Sequence, residues 1–137
     1  MKKTISILSF IFFVAGCAYT GQSDDKPLLD TRWNLSEMFH QQMKYTGTKI
    51  PHLQFEAERV TGNDGCNNFF GPYKLEGDRL SFGLLASTRM ACPDIQGFEI
   101  IFNKMLITVT QFRITGDRLD LYAGDELLAS FIAGEKS

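Results

Sequence analysis

Cys66 stands in the run Gly62-Asn63-Asp64-Gly65-Cys66-Asn67-Asn68, and a thiol in a glycine-rich loop is the group here best suited by type to covalent chemistry. Nucleophilic use needs a lowered thiol pKa and a base within reach. Neither His40 nor His52 lies in a motif that supplies one. The same histidines stand far in sequence from Cys66 and Cys92, without the close ligand spacings of a zinc site, so no metal is assigned. Asp64 and Glu99 form an acid pair only if folding joins them. No Gly-x-Ser-x-Gly, His-Glu-x-x-His or phosphate loop is present. No catalytic residue and no cofactor are assigned, and the chain is expected not to be an enzyme.

Four further positions are candidates for contact with a ligand or partner. Arg89 could hold a carboxylate or phosphate bidentately. Its structural alternative is to bond loop carbonyls, Asp64 or Glu99, since irregular buried backbone must have its polar groups satisfied. Asn67 reads as a turn-stabilising amide. Phe69 and Phe70 are neighbours and cannot both point inward from an extended chain. The outward one would line a pocket, touch a partner or meet a bilayer.

The N-terminus supplies a setting. Lys2 and Lys3 precede an apolar run from Ile5 to Val14, followed by Ala15-Gly16-Cys17. That is a secretory signal with a basic start, an apolar middle and small residues at the cut. The run is shorter than the roughly twenty residues of a spanning helix. Val14-Ala15-Gly16-Cys17 resembles the bacterial lipobox, which implies lipidation of Cys17, cleavage before it and acylation of its new amino group. A plain secretory signal is the alternative. Two or three acyl chains make a stable anchor where one does not. Ala18, where an aspartate would signal inner-membrane retention in enteric bacteria, favours an outer-membrane location. The expected layout is a signal peptide over 1–16, a lipidated cysteine and flexible tether over 17–29, and one folded domain over 30–137.

Removing residues 1–16 from the 137 leaves 121, enough for one domain with a real core. That part carries twelve basic and sixteen acidic residues, a formal charge of −4, with no cluster of lysine and arginine. Nucleic acid is therefore excluded as a partner, and membrane contact is expected through the anchor alone. With Cys17 lipidated, Cys66 and Cys92 are an even pair in an exported chain and read first as a disulfide. Two reduced, buried thiols are the alternative.

The elements that position these residues read mostly as strands. Leu28–Met38 begins the fold with Leu29, Trp33 and Leu35 facing inward, and Phe39–Ile50 is a long excursion or a short helix. Leu53, Phe55 and Ala57 alternate with Gln54, Glu56 and Glu58, the period of a half-buried strand. Val60 carries another strand to Gly62, and residues 62–72 form tight, irregular backbone. Gly77-Asp78 and Gly116-Asp117 each close a hairpin, and a last strand, Leu127–Ile132, follows a turn at Gly124-Asp125. The related segments Glu76–Leu80 and Thr115–Leu119 hint at an internal duplication. Ile95, Phe98, Ile101, Phe102, Met105 and Leu106 fall at helical spacing, predicting a helix from Asp94, as its cap, to about Thr108. The expected fold is mainly β with one helix (α+β): seven or eight short antiparallel strands closing a small barrel or a strongly bent sheet.

Several of these residues together resemble the META domain family. They are Trp33-x-Leu35, Gly62 with Gly65-Cys66-Asn67 and Gly71, Ser87-Thr88-Arg89-Met90-Ala91-Cys92, Glu99 and Phe102, and Leu119-x-Leu121. The resemblance spans about residues 30–133. It implies an antiparallel β fold with a helix packed across it, and a bacterial envelope setting linked to stress and antibiotic tolerance. It implies no reaction. The expected function is that of a non-enzymatic, monomeric envelope lipoprotein binding a protein partner or a small apolar ligand at the barrel mouth. A purely structural interaction module, or a cysteine-dependent enzyme with reduced Cys66 beside a base, are the alternatives.

Overall fold

The computed structural model describes residues 24–44, 49–95 and 97–135. The expected signal peptide, Cys17 and residues 18–23 of the expected tether lie outside the described residues. The strands are β1 (Arg32–Met38), β2 (Gln41–Gln42), β3 (His52–Phe55), β4 (Arg59–Asn63), β5 (Asn68–Glu76), β6 (Arg79–Phe82) and β7 (Ala86–Ser87), then β8 (Gln111–Thr115), β9 (Arg118–Ala123) and β10 (Glu126–Gly134). One helix, α1 (Phe98–Thr108), lies between β7 and β8.

Eight of these strands form a closed antiparallel barrel in the order β1-β3-β4-β5-β6-β8-β9-β10, with β10 returning to β1 through Arg32↔Gly134 and Leu35↔Phe131. Closure removes the edges an open sheet would expose. The two-residue strands stand off this path, β2 on β1 and β7 on β5. Because the strands alternate up and down, the connections alternate ends. The 56–58, Gly77-Asp78 and Gly116-Asp117 turns share one end with the start of β1 and the end of β10. The 39–51 excursion, the Asp64–Asn67 loop, the Gly124-Asp125 turn and the helical connection 83–110 share the other. The seam between β6 and β8 is the thinnest, a single paired position, Arg79↔Gln111. The helix lies in the connection between those two strands.

Period-2 alternation fills the interior. Leu53 and Phe55 point in while His52 and Gln54 do not, and Leu119 and Leu121 do the same on β9. Trp33, Phe55, Phe69, Phe102 and Phe131 are all essentially fully buried. Phe102 joins the helix to both sides of the barrel, with its ring centroid 6.1 Å from Phe69 and 6.4 Å from Phe131. Trp33 Nε1 satisfies its polar need by donating to the Leu28 carbonyl at 3.1 Å.

Both expected hairpins form, with the same register. Glu76 faces Arg79 and Leu75 faces Leu80, as Thr115 faces Arg118 and Ile114 faces Leu119. Gly77 and Gly116 hold nearly equal positive φ, 61° and 62°. The equivalence is local; both turns need a residue tolerant of that region.

Several expectations are corrected. Asp94 does not cap the helix: Pro93–Ile95 is a separate 3₁₀ turn, and α1 starts only after Gly97, whose φ of 84° interrupts the helical run. Ile101 is half exposed, because the buried stripe of α1 is Phe102, Met105 and Leu106 with Phe98 beside it. Leu28, not Leu29, is buried, since adjacent extended residues face opposite ways and Leu29 bridges Phe55 through its backbone. Ala57 falls in a bend and is exposed. The 39–50 excursion holds the small strand β2 and no helix among its described residues. Irregular backbone is confined to Asp64–Asn67, and from Asn68 the chain is already β5. Finally, residues 25–29 are docked: Lys26 N donates to Gly116 O at 2.7 Å, Gly116 N to Asp25 Oδ1 at 2.7 Å, and Leu28 enters the core.

Candidate functional site

The two cysteines are brought together at the helix-bearing end. Cys66 and Cys92 form a disulfide with 5.9 Å between their Cα atoms, tying the Asp64–Asn67 loop to the segment after β7. The Cys66 sulfur is therefore committed to a bond and is not a free thiol.

Around the disulfide the loop is held by side chains acting on backbone. Asp64, almost fully buried, accepts from Cys66 N at 3.0 Å and Asn67 N at 2.7 Å through Oδ1, and from Asn103 Nδ2 at 2.9 Å through Oδ2. Asn67 Oδ1 accepts from Thr88 Oγ1 at 2.9 Å and Met90 N at 2.6 Å, so the amide staples the segment that leads to Cys92. Asn63 Oδ1 accepts from Gly65 N, and its amide donates to Asn68 Oδ1, each at 2.8 Å. Gly65 needs its φ of 95° to make this turn. Gly62 has no room for a Cβ, which would strike the His52 carbonyl and the Phe69 ring.

Arg89 does not take part. It is exposed, and its side chain makes no hydrogen bond or ion pair among the described residues. The role expected of it, satisfying Asp64 or Glu99, is filled for Asp64 by Asn103, which the helix delivers from below the loop. Asp64 and Glu99 share no hydrogen bond. Glu99 Oε2 and Asn103 Oδ1, one helical turn apart, are both buried with no donor among the described residues. No group of three or more histidine, cysteine, aspartate or glutamate side chains among the described residues is arranged to hold a metal ion.

Phe69 and Phe70 divide as alternation requires, Phe69 buried and Phe70 56% exposed. Other apolar residues lie outside the barrel too. Ile100, Ile101 and Ile107 are half to two-thirds exposed on the outer face of α1, Met90 is half exposed, and Leu84 is 91% exposed. On another flank an open cleft of about 570 Å³ is lined by Asp78, Gln111, Phe112, Arg113, Tyr122 and Asp125, among others. Arg113 lies over the Tyr122 ring there, 5.6 Å from its centroid.

A polar group that the sequence reading missed sits on β9 and β10. Arg118 Nε donates to Asp120 Oδ1 at 2.8 Å, Arg118 Nη2 to Ser130 Oγ at 2.7 Å, and Ser130 Oγ to Asp120 Oδ1 at 2.6 Å. The Asp120 hydrogen bond raises the Arg118 pKa further. Ser130 is fully buried, so the group braces the pairing of β9 with β10 and offers no reachable nucleophile. Only the strand register makes it visible.

An eight-stranded closed barrel with one helix in its longest connection, and a disulfide-clamped Gly-Cys-Asn loop at that end, defines the class of fold. The META domain family model matches residues 26–134, and the chain belongs to that family. It is similar to the heat shock protein HslJ of Escherichia coli (strain K12), with 26% identity over 137 residues covering 97% of each chain. Two solved structures share the fold. An NMR structure of a protein from Burkholderia xenovorans superimposes with a TM-score of 0.63 at 22% identity, covering 80% of this chain and 85% of that one. A second NMR structure gives 0.58 at 25% identity, covering 74% and 88%.

Proposed function

We propose that this chain is a lipid-anchored protein of the bacterial envelope that contributes to stress tolerance by binding a partner protein at its outer surface, without catalysing a reaction. The observation that carries this reading is the distribution of apolar groups. The barrel interior is packed with Trp33, Phe55, Phe69, Phe102 and Phe131, while Ile100, Ile101 and Ile107 are spent on the exposed face of α1. Burying isoleucine is worth about 1.5–3 kcal/mol, so three on one solvent-facing helix side favour a surface that is covered in use. The lipobox-like residues before Cys17 support the anchor, and the similarity to the Escherichia coli heat shock protein HslJ supports a role under heat stress. The commitment of Cys66 to a disulfide argues against thiol catalysis.

The test is complementation of cells lacking this chain under heat challenge, using wild type, Cys17→Ser and the double variant Ile101→Asp/Ile107→Asp. Loss of protection in both variants, with the double variant folded by circular dichroism, supports the reading. Full protection by the double variant overturns surface binding through α1, and full protection by Cys17→Ser overturns the anchor.

A second reading, a small ligand held against the barrel wall rather than at its mouth, is favoured by Phe112 and Ile114. Both are only half-buried and line the open cleft beside the thin β6–β8 seam. Extra mass retained in the native mass spectrum of protein purified from the envelope would select it.

A further inference from the structure

We infer that the barrel stands on the bilayer by one defined end, the one carrying the Gly116-Asp117 turn, with α1 and the disulfide loop directed away from the lipid. This inference rests on the lipid-anchor reading of Cys17 and adds an orientation to it.

The first observation is where the chain joins the barrel. Asp25 Oδ1 accepts from Gly116 N and Lys26 N donates to Gly116 O, both at 2.7 Å. Immediately after, Thr31 Oγ1 donates to the Pro27 carbonyl at 2.6 Å, Leu28 is buried, and the Leu28 carbonyl accepts from Trp33 Nε1. Asp30 N donates to Phe55 O at 3.0 Å. The N-terminal segment is thus fastened to the fold from Asp25 onward, at the end shared by the Gly116-Asp117 turn and the start of β1.

The second observation is length. Seven residues, Ala18 to Asp24, separate Cys17 from Asp25. Fully extended, the eight residue-to-residue steps from Cys17 to Asp25 reach about 29 Å. The longest barrel strands have nine residues. At about 3.3 Å per residue and a tilt of 35–45°, such strands rise about 22 Å along the barrel axis. Bringing the far end onto the bilayer would require the connecting chain to run nearly straight along the whole barrel wall. Fixing each residue in that way costs about 1–2 kcal/mol. Standing on the near end carries no such cost.

The consequence is that the apolar face of α1, with Ile100, Ile101 and Ile107, is presented outward, where a partner protein rather than lipid reaches it. Lys104 is exposed on that face.

The test uses the full, acylated chain in vesicles that contain a dark-quencher lipid. One fluorophore is attached at Asp117→Cys and, in a second sample, at Ile107→Cys, with the Cys66–Cys92 disulfide left intact. Quenching at position 117 several-fold stronger than at 107, together with loss of the difference when about thirty Gly/Ser residues are inserted before Asp24, is the expected result. Equal quenching, or stronger quenching at 107, in a chain that co-floats with the vesicles overturns the orientation and leaves the anchor standing. Failure to co-float, with mass spectrometry finding no acyl groups on Cys17, overturns the anchor and the orientation with it.

Discussion

Asn103 Nδ2 donates to Asp64 Oδ2 at 2.9 Å, linking the middle of α1 to the loop that carries Cys66. The two residues are 39 positions apart, and Asp64 is 1% exposed. Its other oxygen receives two backbone N–H groups. Replacing Asp64 by Ala leaves two buried donors and one amide without an acceptor. Each unsatisfied buried group costs about 1–3 kcal/mol, so Asp64→Ala is expected to destabilise by about 3 kcal/mol or more. Asn103→Ala removes one bond and should cost less, about 1–2 kcal/mol. Urea unfolding of the two variants checks the order, and an Asn103→Ala loss equal to that of Asp64→Ala would contradict the loop-centred account.

The disulfide closes a loop with a sequence separation of 26. On the chain-entropy estimate, closure contributes about 3.5 kcal/mol. Cys66→Ser and Cys92→Ser break the same bond, so each is expected to lose a similar amount and the double variant little more than either. Equilibrium unfolding of the three, compared as a double-mutant cycle, measures this. Additive losses would mean that the two sulfurs stabilise the chain independently.

Much of this architecture is legible in the sequence because its signals are local. Gly77-Asp78 and Gly116-Asp117 mark their hairpins, and Leu53/Phe55 and Leu119/Leu121 mark inward faces by alternation alone. The helix stripe is equally plain, but its start is not. Asp94 offers a better cap by type than Gly97, yet a separate 3₁₀ turn at Pro93–Ile95 and the left-handed backbone at Gly97 come between it and α1. The Asn103–Asp64 bond joins a helix to a loop 39 residues away, and the Arg118–Asp120–Ser130 group depends on the shifted register of β10 on β9, neither of which a local pattern encodes. Arg89 shows the converse error: a residue that sits beside a motif in sequence points to solvent in the fold.

The turn between β1 and β2 stores backbone strain. Phe39 and His40 hold φ of 49° and 61°, while Met38 faces Gln41 across a two-residue loop. Two successive positive φ values suit Asn-Gly, and a bulky aromatic residue such as Phe39 is an outlier there. A left-handed conformation costs a non-glycine residue about 1–2 kcal/mol. Both side chains are exposed, so little packing is lost on replacement. Phe39→Asn with His40→Gly is expected to stabilise the domain by about 1 kcal/mol, read as a higher denaturant midpoint at unchanged slope. A lower midpoint would show that the Phe39 ring contributes more than its exposure suggests.

His52 gives the domain a pH dependence of predictable sign. Burial lowers its pKa, the hydrogen bond to the Ile50 carbonyl works against that, and the nearby Arg32 charge lowers it further. Nδ1 lies 3.0 Å from Ile50 O and 3.2 Å from Arg32 Nη2. It can donate to the first or accept from the second, never both at once. The folded state therefore binds the proton less tightly than the unfolded chain, whose histidine titrates near 6.5. Stability is fully present above about pH 6.5 and is lost as pH falls from there through the lower folded value, because the unfolded state then holds more protons. The ordinary carboxylate range lies below this window, so the change is assigned to His52. Unfolding free energy measured from pH 7.5 to 5.5 should decline in the wild type, and the decline should flatten in His52→Gln. A wild-type profile that rises over that interval would reverse the assignment, since it would require a histidine held more tightly protonated in the fold than out of it.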